Sequence, residues 1–129
     1  MKYFSDKELI HSNTAQMLGI DNTPKDSIIW DNLHTLVEKI LDPAREQLGL
    51  PITVNCGYRS EQTNVAVGGA KGSQHTKGMA ADIRCKDMAK LGRILRTMDF
   101  DQLGIYKTFY HVSYDPTKKR QRHQIFYSK

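Results

Sequence analysis

Apolar residues recur at three- and four-residue steps through one long stretch: Ile28, Ile29, Leu33, Leu36, Val37, Ile40, Leu41 and Ala44. That spacing predicts an amphipathic helix of about 20 residues, the main core-former of the chain. Pro24 is expected in its first turn, behind Asn22 or Thr23 as the cap. Pro43 falls inside the pattern and predicts a kink or break near Leu41. Gly49 marks the stop before Pro51. Upstream, Ser5 and Glu8 form a capping-box pair that predicts a short helix around residues 5–11. The polar stretch Asn13–Asn22 reads as a loop or a single turn.

After Pro51 the pattern changes to alternation. Ile52–Cys56 is rich in β-branched residues and reads as a strand ending at Gly57. Ser60 caps a short helix over SEQTNVAV, and Val67–Gly72 is a glycine-rich loop. Met79–Arg84 is a compact apolar run around Asp82, expected as a central strand. Asp87–Met98 is a helix with Met88, Leu91, Ile94 and Leu95 on one face. Leu103–Tyr106, Phe109–Tyr114 and His123–Tyr127 are three short strands, with a turn at Lys107-Thr108 and a connection that begins at Asp115-Pro116-Thr117. Helices first and antiparallel strands later argue for an α+β domain and against a doubly wound sheet.

Composition narrows this little. A chain of 129 residues fits one domain, residues 1–129, with a single core. No apolar run approaches the ~20 residues of a membrane span. The amino-terminal MKYFSDKELIHSNTA carries Asp6 and Glu8 and has no apolar core, so no secretory signal is expected and the protein is read as cytoplasmic when synthesised. Cys56 and Cys85 lack a CxxC spacing; they read as two buried free thiols and as poor zinc ligands. The net charge of +5 gathers in Lys118-Lys119-Arg120-Arg122-His123. Such a run suits anionic polymers, or is simply a solvated hairpin rim. No aromatic platform accompanies it, so no nucleic-acid partner is expected.

The chemistry concentrates in GSQHTKGMAAD, residues 72–82, where His75 and Asp82 stand seven residues apart, and in FYHVSY, where His111 shares a strand face with Phe109 and Ser113. Two neutral imidazoles and a carboxylate are a common ligand set for a catalytic zinc with one position open to water. A carboxylate in the apolar run around Asp82 is costly to bury unless it is paired or metal-bound. The plainer reading pairs Asp82 with Arg59 or Arg84 and makes each histidine a hydrogen-bonded structural residue. His11, His34 and His123 carry no assigned chemistry.

GYRS at 57–60, SQHTKGMAADI at 73–83, FDQLGIY at 100–106 and YHVSY at 110–114 occur in an order and spacing that resemble the M15 family of zinc D-alanyl-D-alanine carboxypeptidases and peptidoglycan endopeptidases. The likeness is greatest to the compact forms of phages and some bacteria, and it covers nearly the whole chain. It implies a small antiparallel sheet with helices packed on one side, the domain type also seen in Hedgehog signalling proteins. It implies Zn2+ held by His75, Asp82 and His111, and hydrolysis of D-amino-acid-containing stem peptides by metal-activated water. Arg59 would bind a substrate carboxylate or carbonyl; Ser73 and Gln102 would contact substrate or orient a ligand. A monomer is expected, reaching the cell wall through a phage holin. One departure stands out. Where many members carry a glutamate or aspartate as general base, this chain has Tyr106, with no carboxylate between Asp101 and His111. A phenol is a poor base but can donate to an oxyanion. The change reads either as a subfamily mark or as a lost base, with Asp101 or Asp115 as carboxylates that could stand in. A zinc-containing but catalytically weak wall-binding module is the alternative, and a metal-free basic binding protein a third.

Overall fold

The computed structural model describes residues 1–128. Helix α1 (Asp6–Ile10) opens on the expected capping box, with Ser5 and Glu8 each satisfying the other's backbone N–H. The segment expected as a loop forms helix α2 (Asn13–Leu18), because Ser12 caps its start and Gly19, at φ 69°, closes its end. Pro24 lies ahead of the next helix and not in its first turn: α3 (Ser27–Leu36) starts behind Asp26, whose side chain accepts from Ile28 N. Near Leu41, where a kink or break is expected, the regular α-helix gives way to a different turn. Val37–Leu41 forms a π-helical turn, closed by Asp42 N donating to Val37 O, and α4 (Asp42–Leu48) follows with Pro43 in its first turn. The wider turn absorbs the donor that proline lacks. Val37, Ile40 and Leu41 therefore stay fully buried, and Gly49 ends the element at φ 73° as expected.

The rest is a five-stranded sheet with strand order β1-β2-β4-β3-β5, built from β1 (Thr53–Cys56), β2 (Ala80–Arg84), β3 (Gln102–Ile105), β4 (Tyr110–Ser113) and β5 (Gln124–Tyr127). Helix α5 (Glu61–Ala66) follows β1, capped by Ser60, and α6 (Met88–Arg96) follows β2 behind Asp87. The sheet is antiparallel except at its edge, where β5 runs parallel to β3. The last connection is therefore not a hairpin; it carries the chain past β3.

Alternation divides the sheet. Ala81 and Ile83 on β2, Leu103 on β3, and Tyr110 and Val112 on β4 join Leu33, Leu36, Ile40, Leu41, Leu91 and Leu95 in one core. The intervening residues, Asp82, Gln102 and His111, face away from that core and line a cleft. The sequence pattern is thus realised as an α+β domain with its main helices on one face of the sheet.

Candidate metal centre

A single row of residues crosses all five strands. Cys56 stands opposite Asp82, Asp82 opposite His111, His111 opposite Gly104, and Gly104 opposite Phe126. A bulge between Val54 and Cys56 sets the first of these pairs.

His75 comes to the row from a 3-10 turn, Gln74–Lys77. Ser73 caps that turn: its hydroxyl accepts from His75 N at 3.2 Å. Asn32 of α3 donates to Lys77 O at 2.8 Å. Gly78 ends the turn at φ 74°, and a Cβ there would sit 2.7 Å from Ile29 O, so only glycine gives both the left-handed bend and the close approach of α3. The turn is thereby fixed from both ends.

Its result is a convergence on one oxygen. His75 Nε2 lies 3.3 Å and His111 Nδ1 3.0 Å from Asp82 Oδ1. His75 Nδ1 is 2.7 Å from Gly57 O, a carbonyl that can only accept, so the Nδ1 proton is committed and the neutral ring presents the Nε2 lone pair to Asp82. Two acceptors facing each other at this distance require a cation or a proton between them. Donors of a tetrahedral ion with bonds of ~2.0–2.1 Å stand about 3.3–3.4 Å apart, and the distances of the two imidazoles from Asp82 Oδ1 approach that spacing. The electrostatics agree. Burial pulls His75 down, but Asp82 and Cys56 outweigh it and push the imidazole up to about 9. Burial also pushes Asp82 up, yet the two imidazoles hold it well below the usual carboxylate range. The site favours positive charge.

Cys56, expected to be a buried free thiol and a poor zinc ligand, is half-buried and free, as is Cys85. With His75 and Asp82 it forms a group whose ligand atoms lie within 4.8 Å of one another. Spacing rules that look for close cysteine pairs miss it, because strand register and not sequence brings it there. Its sulfur stands on the Nδ1 side of His75, at 3.9 Å, and accepts from Arg59 Nε at 3.2 Å. Burial would raise this thiol; His75 and Arg59 hold it below its ordinary value.

Arg59 is positioned from three sides. Its N–H donates to His75 O, Asn22 brackets its neighbours through Tyr58 O and Ser60 N, and Nη1 donates to Asn64 Oδ1 at 2.9 Å. Nη2 then reaches 3.8 Å from Asp82 Oδ2, so the ion pair of the plainer reading is present but long. Arg84 is elsewhere, on Asn55.

The cleft over the row holds about 630 Å³ and includes Arg59, Ser73, His75, Asp82, Gln102, Tyr106 and His111 in its lining, together with Phe109, Arg122 and Phe126. Tyr106 stacks on Phe109 at 4.5 Å, with Phe126 edge-on at 6.1 Å. Gln102 donates to Gln124 of β5 at 2.9 Å. Neither stand-in carboxylate faces this space. Asp101 is fully buried and accepts from Arg122, Gln74 and Lys118. Asp115 accepts from the backbone and hydroxyl of Thr117. Among the described lining residues Asp82 is the sole carboxylate. Arg122 and Phe126 escape a motif-based reading because Arg122 sits in what reads as a solvated basic run and Phe126 on the last short strand.

No curated protein matches the chain. A family model described as Peptidase M15 matches residues 2–115, a span that takes in every candidate ligand and ends before Arg122 and Phe126. On that match over most of its length, and with a cluster able to hold a metal, the chain belongs to the M15 family of metal-dependent peptidases.

Proposed function

We propose that this M15 chain is a zinc peptidase that hydrolyses D-amino-acid-containing stem peptides of peptidoglycan, as a D-Ala-D-Ala carboxypeptidase or an L-Ala-D-Glu-type endopeptidase. The observation that carries the metal assignment is the meeting of His75 Nε2 and His111 Nδ1 on Asp82 Oδ1, at 3.3 and 3.0 Å. His75, Asp82 and His111 hold Zn2+, and Cys56 stands behind His75 as a neighbour of Arg59 and not as a ligand. Zinc in that set supplies Lewis acidity at a scissile carbonyl and a water whose pKa falls to about 7.

The remaining steps belong to the chain. Gly57 O keeps His75 in the tautomer that frees Nε2. Ser73 fixes the backbone of the same residue and lines the substrate cleft. Arg59, anchored through Nε and Nη1, offers Nη2 to a substrate carboxylate or carbonyl. The hydroxyl of Tyr106 donates to the oxyanion as it forms. Gln102, held by Gln124, contacts the peptide backbone.

A second reading has one observation in its favour. With Asp82 the sole carboxylate of the described lining, no side chain of the usual kind is placed to accept a proton, and the domain would bind wall peptides while cutting slowly. One experiment addresses both. Zinc content is measured for the wild type, His111→Ala and Cys56→Ala, and each is incubated with purified peptidoglycan while released termini are identified. The expected result is about one zinc per chain, kept in Cys56→Ala and lost in His111→Ala, with new amino or carboxyl termini from the wild type. Zinc without cleavage selects the binding module. Zinc lost in Cys56→Ala but kept in His111→Ala reassigns the centre to Cys56, His75 and Asp82. A protein that takes up no zinc sinks the proposal.

A further inference from the structure

We infer that Arg122 is a specificity-determining residue, receiving a second carboxylate of the substrate on the opposite side of the metal cluster from Arg59. This rests on the peptidase reading above and deepens it.

The guanidinium is built into the cleft wall. Gln121 beside it is 5% exposed and is bonded twice to the backbone of Asp115. His123 N donates to Phe100 O, and Gln124 N to Asp101 O. The backbone that carries Arg122 is therefore held on both sides. The side chain lies against Asp101, with Nε 3.1 Å from each carboxylate oxygen and Nη2 2.7 Å from Oδ2. Nη1 makes no hydrogen bond among the described residues. The Asp101 side chain is 0% exposed and that of Arg122 is 45% exposed, so the anion is behind and the cation's free edge is in front. A ligand in the cleft meets the guanidinium and not its partner.

Topology places this edge. Arg59 follows β1 and Arg122 precedes β5, the two outer strands of the sheet, while Asp82 and His111 lie on β2 and β4 between them. The Arg122 guanidinium lies on Asp101, just before β3, so about two to three strand spacings of ~4.8 Å separate it from β2, where Arg59 meets Asp82. That is about 10–14 Å, or ~3–4 residues of extended peptide. The charged residues of the cleft lining are Arg59, Lys71 and Arg122 against Asp82, and that carboxylate is occupied by its two histidines. The planar fork of arginine matches a carboxylate. The ligand it selects is a peptide with one carboxylate near the scissile bond and another a few residues away. A γ-linked D-glutamate, with its free α-carboxylate, supplies the second.

The competing account is that Arg122 only neutralises Asp101. Two synthetic peptides separate them: L-Ala-γ-D-Glu-L-Lys-D-Ala-D-Ala, and the same peptide with D-isoglutamine in place of D-Glu. Cleavage kinetics and calorimetric binding are measured on the full zinc-loaded chain, on Arg122→Gln, on Arg122→Lys and on the control Lys119→Gln. Amidation is expected to raise KM, or Kd, ~10–100-fold in the wild type and in Lys119→Gln, with kcat little changed. Arg122→Gln should bind the two peptides alike. If that variant does not fold, Arg122→Lys, which keeps a charge on Asp101 but lacks the fork, must still show a reduced ratio. Equal use of both peptides by the wild type overturns the inference, as does an Arg122→Gln variant that weakens both while keeping their ratio. Cleavage without discrimination leaves the peptidase reading standing and this one fallen. Discrimination in binding without cleavage does the reverse. No binding of either peptide overturns both.

Discussion

The resemblance to M15 peptidases leads one to expect a carboxylate where Tyr106 stands, and the surroundings of the phenol show what is there instead. Its ring lies flat on Phe109 and edge-on to Phe126, so one wall of the cleft is aromatic. Its hydroxyl has no hydrogen-bond partner among the described residues, which leaves it free to donate to substrate. If it stabilises the oxyanion, Tyr106→Phe lowers kcat on a stem peptide ~10²–10³-fold at similar KM. Tyr106→Glu puts a carboxylate beside aromatic surface, which raises its pKa toward the range a general base needs. We expect it to raise kcat ~10-fold or more. A phenylalanine variant as fast as the wild type would remove the oxyanion role; a glutamate variant with no gain would show that the base is not the missing part. The missing carboxylate was legible in the chain, since none lies between Asp101 and His111. What the two candidates do was not. Asp101 is bound by Arg122, 21 residues on, and Asp115 by Thr117; proximity in sequence to the ligands says nothing about either.

At the scale of elements, the alternation of each strand could be read, and with it the placing of Asp82 and His111 on a face. Register could not. Which residue faces which depends on partners far along the chain, and a shift of one would turn every side chain over. The row Cys56–Asp82–His111–Gly104–Phe126 therefore appears only in the folded molecule, as does the parallel docking of β5 on β3. Pro43 teaches the same lesson within a helix. A kink or break near Leu41 was the local expectation; the interruption takes the form of a π-helical turn that keeps Val37, Ile40 and Leu41 in the core. Gly104 is where the docking of β5 can be tested. A Cβ there would meet the Phe126 ring at 2.5 Å and Tyr106 at 2.9 Å, so the aromatic wall sits directly on a bare backbone. Gly104→Ala should force Phe126 off the strand, costing about 1–3 kcal/mol in urea unfolding. It should also slow peptide cleavage while zinc content stays at the wild-type level, since the atoms nearest the new methyl belong to Phe126 and Tyr106. Unchanged stability and rate would mean that Phe126 swings aside freely and that the wall is not fixed by this contact.

For the whole molecule, Asp101 joins parts that the chain keeps apart. Its backbone N–H donates to Ser113 O on β4 and its carbonyl accepts from Gln124 N on β5. Its buried carboxylate takes Gln74 Nε2, from the turn that carries His75, at 2.9 Å. It takes the backbone N–H of Arg122 at 2.9 Å and the guanidinium at 2.7 Å. The turn that carries His75, the central strand and the carboxy-terminal strand thus share one anion, so Asp101 acts as the junction between the candidate metal centre and the cleft wall. Burial alone would raise its pKa, but the Arg122 and Gln74 hydrogen bonds outweigh burial and hold it well below its ordinary 3.8. A carboxylate depressed in the folded state binds its proton more readily in the unfolded chain. Its contribution to stability is therefore complete above the unfolded value and drains away as pH falls below about 4. Asp101→Asn keeps the size and one acceptor but loses the charge-assisted bonds, and should cost about 1–3 kcal/mol at pH 7. The gap between the two proteins should close toward pH 3, where the wild type is losing the same interaction. Other carboxylates, Asp82 among them, titrate alike in both and cancel from the difference. Urea midpoints at pH 7 and pH 3 measure it directly. Curves that stay parallel across that range would mean that the charge on Asp101 contributes nothing to holding the strand and the turn together, and that its hydrogen bonds are replaceable by those of an amide.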